Sequence, residues 1–521
     1  MRFFNFLFSR TFIVALLLLL QILFVAVLFL IQALGVAALE LWFLDDTILF
    51  QTLFTAISIG LVLFIVERKE TPEFKLPWLF LLLIIPTFGL LLYLLFARPF
   101  FSRHKKQVKS IREEREETAK RLAPSPEEAE AVAAFPAVPL GVEQYLQKTA
   151  VSFGTLGNRV RYFPLGEDFF RDLCQALKGA EHFIFMEYFI IERGKMWNTI
   201  REILVERAKA GVRVVVMYDD IGSSGKLPLS TRRKLGKLGI ECHRINPFRP
   251  ILSAVYNNRD HRKITVIDGL VGYTGGVNLG DEYINETHPF GHWKDTAVRI
   301  EGPAVRNLTA LFLETYEQVT LKKTDKSPYL DVLPPTYEDG GWVHPFGTGP
   351  RPLYGERVGE SVILQLIGRA KKSLRITTPY LIPDYNLTSA LRDAALRGVK
   401  VEIITPHVPD KRIIFSITRA NYRPLLEAGV HIYEYTPGFV HAKVLLCDEE
   451  VALVGTLNLD YRSLVHHSEC GALFTGCSAV LDVEADFAQT LRVSQEIPAD
   501  FKPAPMAKLT NLILAPFTPL F

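Results

Sequence analysis

The chain of 521 residues has little of what a disulfide or metal architecture needs. Its five cysteines, Cys174, Cys242, Cys447, Cys470 and Cys477, are odd in number and scattered, with no C-x-x-C pair and no Cys/His ligand spacing. A disulfide framework and a zinc site are therefore not expected, and a reducing compartment fits. Cys447, beside Asp448, reads as a buried strand cysteine rather than a reactive thiol. H-E-x-x-H, H-x-E…C-x-x-C and EF-hand patterns are missing too, so no metal and no cofactor is expected, and His288 with His292 reads as part of a loop. An excess of one charge is also lacking. Lys and Arg number 59 against 56 Asp and Glu, a net +3, too little for the basic field that a nucleic-acid partner would require.

Apolar residues, by contrast, are abundant and unevenly spread. The mean hydropathy is +0.17, and the excess sits in the first hundred residues. Residues 12–39 are apolar apart from Gln21 and Gln32. That run exceeds the ~20 residues that cross a bilayer as a helix and is about twice too long for a signal-peptide core. Residues 48–66 and 76–97 can span as well, because neighbouring helices can satisfy the carbonyl freed by Pro86. Residues 1–97 are thus expected to be a multi-pass transmembrane region in the cell membrane, with spans at about 12–39, 48–66 and 76–97. After Ala97 come Arg98, Arg103, Lys105, Lys106, Lys109, Arg112, Arg115, Lys120 and Arg121, which by the positive-inside rule place the rest of the chain in the cytoplasm. The N-terminus is then outside if all three runs span, and inside if the middle one does not. The same basic segment can hold an anionic membrane surface at ~1 kcal/mol per residue.

Residues 98–149 read as this basic segment followed by a linker, Ala/Pro/Glu-rich between Pro124 and Pro139. From about residue 150 short β-rich runs alternate with helical ones. Strand 182–191, helix 197–210 and strand 211–218 make a βαβ pattern, and 373–382, 387–397 and 398–405 repeat it. Even phrases recur, Gly211-Val212-Arg213-Val214 against Gly398-Val399-Lys400-Val401. The expected fold is α/β: transmembrane helices, then two pseudo-two-fold-related domains at 150–322 and 350–500, joined by a Pro/Gly-rich connection at 323–349. A tail at 501–521 carries an apolar run, 509–521, too short to span with its two prolines and expected to pack near the membrane face.

One pattern organises both halves. His261-Arg262-Lys263-Ile264-Thr265-Val266-Ile267-Asp268 returns 180 residues later as His441-Ala442-Lys443-Val444-Leu445-Leu446-Cys447-Asp448. Each copy is followed at equal spacing by a Gly, a small residue and an Asn: Gly275, Gly276 and Asn278, then Gly455, Thr456 and Asn458. His and Lys, two apart in a run of β-formers, leave the same face of a strand. Asp268-Gly269 and Asp448-Glu449-Glu450 read as hairpin turns, which gives the two Asp residues a structural task. A single H-x-K would be read as a solvated strand face. Its repetition with matching tails points to one active site built from both copies.

The doubled H-x-K-x₄-D resembles the twin signature of the phospholipase D superfamily. Asn257-Asn258-Arg259-Asp260 before the first histidine, Gly280-Asp281-Glu282-Tyr283, Thr378-Pro379-Tyr380 and Asp460-Tyr461-Arg462-Ser463 are similar to bacterial cardiolipin synthases. The resemblance, which runs from about residue 72 onward, implies a catalytic set of His261, Lys263, Asp268, His441, Lys443 and Asp448 acting on a phosphodiester. One histidine attacks phosphorus; the other protonates the leaving alcohol and deprotonates the incoming one, tasks suited to a pKa near the working pH. The residues alone do not order the two, and the resemblance makes His261 the nucleophile and His441 the acid and base. Lys263 and Lys443 with Asn278 and Asn458 would hold the phosphoryl oxygens. The implied reaction joins two phosphatidylglycerol molecules into cardiolipin, releasing glycerol, with anionic membrane lipids as partners and the oligomeric state left open. The alternative is a phospholipase D-like hydrolase or a transphosphatidylase using another alcohol. A nuclease of the same superfamily is disfavoured by the apolar N-terminal runs and the near-neutral charge, and a silent scaffold by the completeness of both motifs.

An attacking imidazole needs its other nitrogen held by an acceptor, best a carboxylate. Each half begins a later strand with an acid, Asp295 and Glu469, each seven residues before a Gly, Gly302 and Gly476. Superfamily members similarly use an acid from the strand after the motif. The expected pairs are Asp295 with His261 and Glu469 with His441.

Overall fold

The computed structural model describes residues 23, 44–68, 72–84, 89, 90, 93, 103–247, 258–351 and 353–503. Two compact units divide the chain. One comprises Met1–Ser102, Phe248–Asn257 and Leu512–Phe521, the other Arg103–Pro247 and Asn258–Asn511.

In the first unit, helices Leu44–Glu67 and Pro72–Ile84 bury Ile65, Leu82, Leu90 and Tyr93, with Trp78 edge-on to Tyr93 at 5.3 Å. Among the described residues no helix is long and apolar enough to cross a membrane, which corrects the expectation of transmembrane helices. Helix Pro72–Ile84 has 13 residues, short of the ~20 a bilayer needs. The helix before it interrupts its apolar run with Gln51, Thr52, Thr55 and Ser58 and carries Asp45, Asp46 and Glu67 near its ends. The run 12–39, Leu23 apart, and the run 509–521 lie outside the described residues.

The second unit holds both H-x-K-x₄-D motifs. Its strands are β1 (Thr155–Phe163), β2 (Phe183–Tyr188), β3 (Arg213–Asp219), β4 (Glu241–Ile245), β5 (Ile264–Ile267), β6 (Val271–Gly275), β7 (His292–Lys294) and β8 (Ala297–Glu301). There follow β9 (Gly341–Thr348), β10 (Ser373–Thr377), β11 (Leu381–Ile382), β12 (Lys400–Pro406), β13 (His431–Tyr435), β14 (Gly438–Val440), β15 (Val444–Cys447), β16 (Val451–Gly455), β17 (Leu459–Asp460), β18 (Glu469–Thr475) and β19 (Ser494–Glu496). Fifteen of them form one sheet. Outward from the central pair β1 and β9 the order is β8, β6, β5, β2, β3, β4 on one side and β18, β16, β15, β10, β12, β13 on the other, with β19 beyond. The two sides are the same succession of strands, so the repeated phrases of the sequence become a pseudo-two-fold of structure. The connection 323–349 contributes β9, buried along its whole length, to the centre.

The βαβ units match the expected ones within a few residues, β2 and β3 flanking helix Lys195–Lys209 and β10 and β12 flanking helix Tyr385–Leu396. The segment 124–139, expected as a linker, is instead partly helical. Ser125 and Glu128 form a reciprocal capping box around Pro126 at the first helical position, starting helix Pro126–Ala134, and helix Leu140–Thr149 follows. Before them, helix Arg103–Leu122 carries the basic segment. Its Arg115 pairs with both oxygens of Glu314 at 2.7 Å and lies 3.9 Å over the Tyr354 ring.

The turns after the two motif strands show what the motif aspartates do. Asp268 and Asp448 adopt positive φ, +54° and +55°. Asp268 accepts the N–H groups of Glu181, His182 and Phe183 at 2.7–2.8 Å. Asp448 accepts those of Lys371, Lys372 and Ser373 at 2.7–3.0 Å. Each carboxylate thereby ties a motif hairpin to the start of the neighbouring strand, β2 or β10. Asp268→Ala and Asp448→Ala should each lower stability by about 3 kcal/mol, since three N–H groups lose a charged acceptor. Hydrogen exchange would show it as lost protection at 181–183 or 371–373, and unchanged protection there would contradict this role.

Candidate active site

His261 and His441 stand just before β5 and β15, at the end of the sheet where β2 and β10 finish. Short crossings between the halves fix them. The His261 N–H donates to the Ser468 carbonyl at 2.8 Å, and the Ser468 N–H to the Arg259 carbonyl at 2.8 Å. In the mirror position β14 pairs parallel with β7, and the His441 N–H donates to the Lys294 carbonyl at 2.7 Å. The residue after each of these carbonyls is an acid. Glu469 therefore arrives beside His261, and Asp295 beside His441.

This corrects the expected pairing. His261 Nδ1 meets Glu469 Oε2 at 2.9 Å, and His441 Nδ1 meets Asp295 Oδ2 at 2.6 Å. Both acids orient a histidine, but each serves the other half's, because the backbone crossings carry it over. Glu469 Oε1 also accepts Ser463 Oγ at 2.6 Å, and Asp295 Oδ1 accepts the Thr296 N–H at 2.8 Å.

All of these groups are buried, and burial sets their charge states. Burial pushes His261 well below its usual pKa, against the pull of Glu469. It takes His441 down to about 4, with the Lys443 charge adding and Asp295 opposing. Burial alone would raise the two carboxyls, but His441, Lys443 and the Thr296 N–H around Asp295, and His261 with His467 around Glu469, together outweigh it and hold both below the usual carboxylate range. An ionised carboxylate only accepts. The Nδ1 of each neutral ring must then carry the proton, which leaves Nε2 as a free lone pair.

Lys263 Nζ donates to the His261 carbonyl at 2.7 Å, and Lys443 Nζ to the His441 carbonyl. Burial brings Lys263 down to about 8, opposed mainly by Glu469, and Lys443 to about 7, where Asp295 opposes and the Lys263 charge adds. The charge of Lys263 also acts on His441, so the two motifs share one electrostatic site. Asn278 accepts the Ile190 N–H at 3.0 Å and donates to Tyr283 Oη at 2.7 Å. Asn458 is buried with its Oδ1 unpartnered. Asp268 and Asp448 lie in the turns at the far ends of β5 and β15.

Sequence reading missed several supports. Arg259 pairs with Asp219 at 3.0 Å, and Arg262 with Glu187 at 3.0 Å and Asp260 at 3.2 Å; two arginines flanking the motif histidine were the available signal. Phe189 lies edge-on to His261 at 4.9 Å, while Tyr283 and Phe439 pack on His441. Burial pushes the Cys447 thiol up to about 12, and all five cysteines are free. Among the described residues, His261, His467 and Glu469 have ligand atoms close enough, within 4.8 Å of one another, to hold a metal ion, although two of the three already bind each other.

Known proteins resemble this chain. A family described as cardiolipin synthase, phospholipase D-like domain, matches residues 363–491, and one described as phospholipase D-nuclease N-terminal matches 53–98. A cardiolipin synthase of Alkalihalophilus pseudofirmus is 36% identical over 88% of this chain and 90% of its own. Another, of Halalkalibacterium halodurans, is 34% identical over 85% of this chain and 87% of its own. The phosphatidylserine synthase of Haemophilus influenzae has a similar fold, with a TM-score of 0.55 at 15% identity over 74% of this chain and all of its own. Relatives this similar over most of its length identify the chain as an enzyme, a phospholipid phosphatidyltransferase, and it belongs to the cardiolipin synthase family of phospholipase D-like proteins.

Proposed function

We propose that the enzyme joins two phosphatidylglycerol molecules into cardiolipin at an anionic membrane surface, through a phosphohistidine on His261. The observation that carries this reading is the exchanged pair of histidines, each aimed by a buried carboxylate of the other half. His261 Nε2 attacks phosphorus as the bond to the headgroup glycerol breaks, and His441 gives its proton to the departing oxygen. A second phosphatidylglycerol then presents a glycerol hydroxyl. His441 takes its proton, the oxygen attacks phosphorus, and His261 is released. Lys263, Lys443 and Asn458 hold the phosphoryl oxygens where negative charge builds. Burial keeps the His441 ring neutral, with Nε2 unprotonated, until the substrate binds. The phosphodiester anion raises its proton affinity, so His441 takes up a proton from solvent as the substrate binds and passes it to glycerol.

Purified protein given phosphatidylglycerol labelled in its diacylglycerol part should form labelled cardiolipin and free glycerol. Phosphatidic acid as the main product would mark a hydrolase, and efficient capture by an added alcohol another transferase. His261→Ala and His441→Ala should each lower turnover by at least about 1000-fold. A brief reaction quenched in alkali should leave lipid label on His261; label on His441 would reverse the two roles.

The lysines give a pH dependence. A lysine whose pKa is depressed keeps its charge below that value and loses it above. Affinity for the phosphodiester should therefore fall as pH rises through about 7 and then 8, as Lys443 and then Lys263 lose their protons. In kcat/KM this appears as an alkaline limb beginning near neutrality, and Lys443→Arg, which stays charged, should move it upward. A limb in the same place in that variant would assign it to another group.

A further inference from the structure

Two residues before each exchanged acid stands a ring, Trp293 before Asp295 and His467 before Glu469. The Trp293 ring lies 5.4 Å from His441 at 44°, and the His467 ring 5.3 Å from His261 at 40°. The pseudo-two-fold thus brings a second ring against each histidine in nearly the same pose. Both are buried, at 6% and 8% exposure. No ring nitrogen of either has a hydrogen-bond partner. Glu469 Oε1 lies 3.5 Å from His467 Nδ1, too far for a well-formed hydrogen bond, and that oxygen already accepts Ser463 Oγ at 2.6 Å.

A buried N–H without an acceptor is unfavourable. A phenylalanine would pack on either histidine without that cost. The same unsatisfied donor at both related positions points to a ligand that reaches both. In the route proposed above, the headgroup oxygen that leaves or attacks lies on the His441 side, opposite the nucleophile. Only the phosphoryl group lies between both histidines and carries acceptor oxygens toward each. We infer that the Trp293 indole and His467 imidazole N–H groups are a second pair of donors to the non-bridging phosphoryl oxygens, one from each half. This rests on the phosphatidyltransferase reading and adds two catalytic residues to it.

The test uses the full-length protein, phosphatidylglycerol turnover, and orthovanadate as a probe of the five-coordinate phosphoryl geometry. Trp293→Phe and His467→Phe keep a ring and delete the donor. Each should lower kcat by about 100-fold and weaken vanadate inhibition by a similar factor, with the melting temperature unchanged. His467→Gln, which retains an N–H, should regain most of the loss. Turnover and vanadate inhibition within twofold of wild type in either phenylalanine variant would overturn the pair and leave the rings as packing alone. If a variant does not fold, the wild-type Trp293 indole N–H resonance decides: it must shift on adding vanadate, and an unmoved signal overturns the assignment. His261→Ala is assayed beside them, because activity there would refute the phosphohistidine reading and not the donor pair.

Discussion

The exchange of carboxylates between halves is the constraint on which the rest of the site depends. Glu469 and Asp295 are fully buried, and an ionised carboxylate is kept in such a place only by strong local partners. Each finds its imidazole in the opposite half, so neither half contains both members of either motif histidine–acid pair. The sheet accommodates this by running continuously through β1 and β9, the two strands at which the halves meet. Backbone bonds from His261 to Ser468 and from His441 to Lys294 then set the separation of ring and carboxylate before any side chain chooses a rotamer. Catalytic geometry here is a property of how two repeats join.

That joining explains what could be read from the sequence and what could not. The H-x-K-x₄-D hairpins were legible because they are local: Asp268 and Gly269, like Asp448 and Glu449, supply the positive φ of a tight turn. The repeat offset was legible too, and with it the pairing of β2 with β3 and of β10 with β12. The partner of each histidine was not, because it lies 208 residues away for His261 and 146 for His441. Strand order within one half gives no sign of a crossing into the other. Asp295 and Glu469 were found as acids in matching places, and the error lay only in which ring each meets. At 124–139, composition suggested a linker, while Ser125, Pro126 and Glu128 already spelled a helix start. Among the described residues of the first hundred, apolar content was read as spans, but content does not fix how long a helix runs, and the described helix Pro72–Ile84 has 13 residues.

The charges of the site are unequally committed. Its two acids are committed to the histidines, and its two lysines are buried, with Lys263 pushing the affinity of Lys443 for its proton downward. A phosphodiester monoanion between them relieves that repulsion and favours the protonated form of every basic group around it. In the proposed route recognition and activation are therefore the same electrostatic event. In the proposed route His441 gives the proton to glycerol, and the same ring recovers one from the incoming hydroxyl, so a full turnover requires no net exchange of protons with solvent. A histidine as enclosed as His441, 7% exposed, can serve such a cycle, because glycerol carries a proton out and the incoming hydroxyl brings one back, and only the binding of substrate and the release of product move a proton from and to solvent.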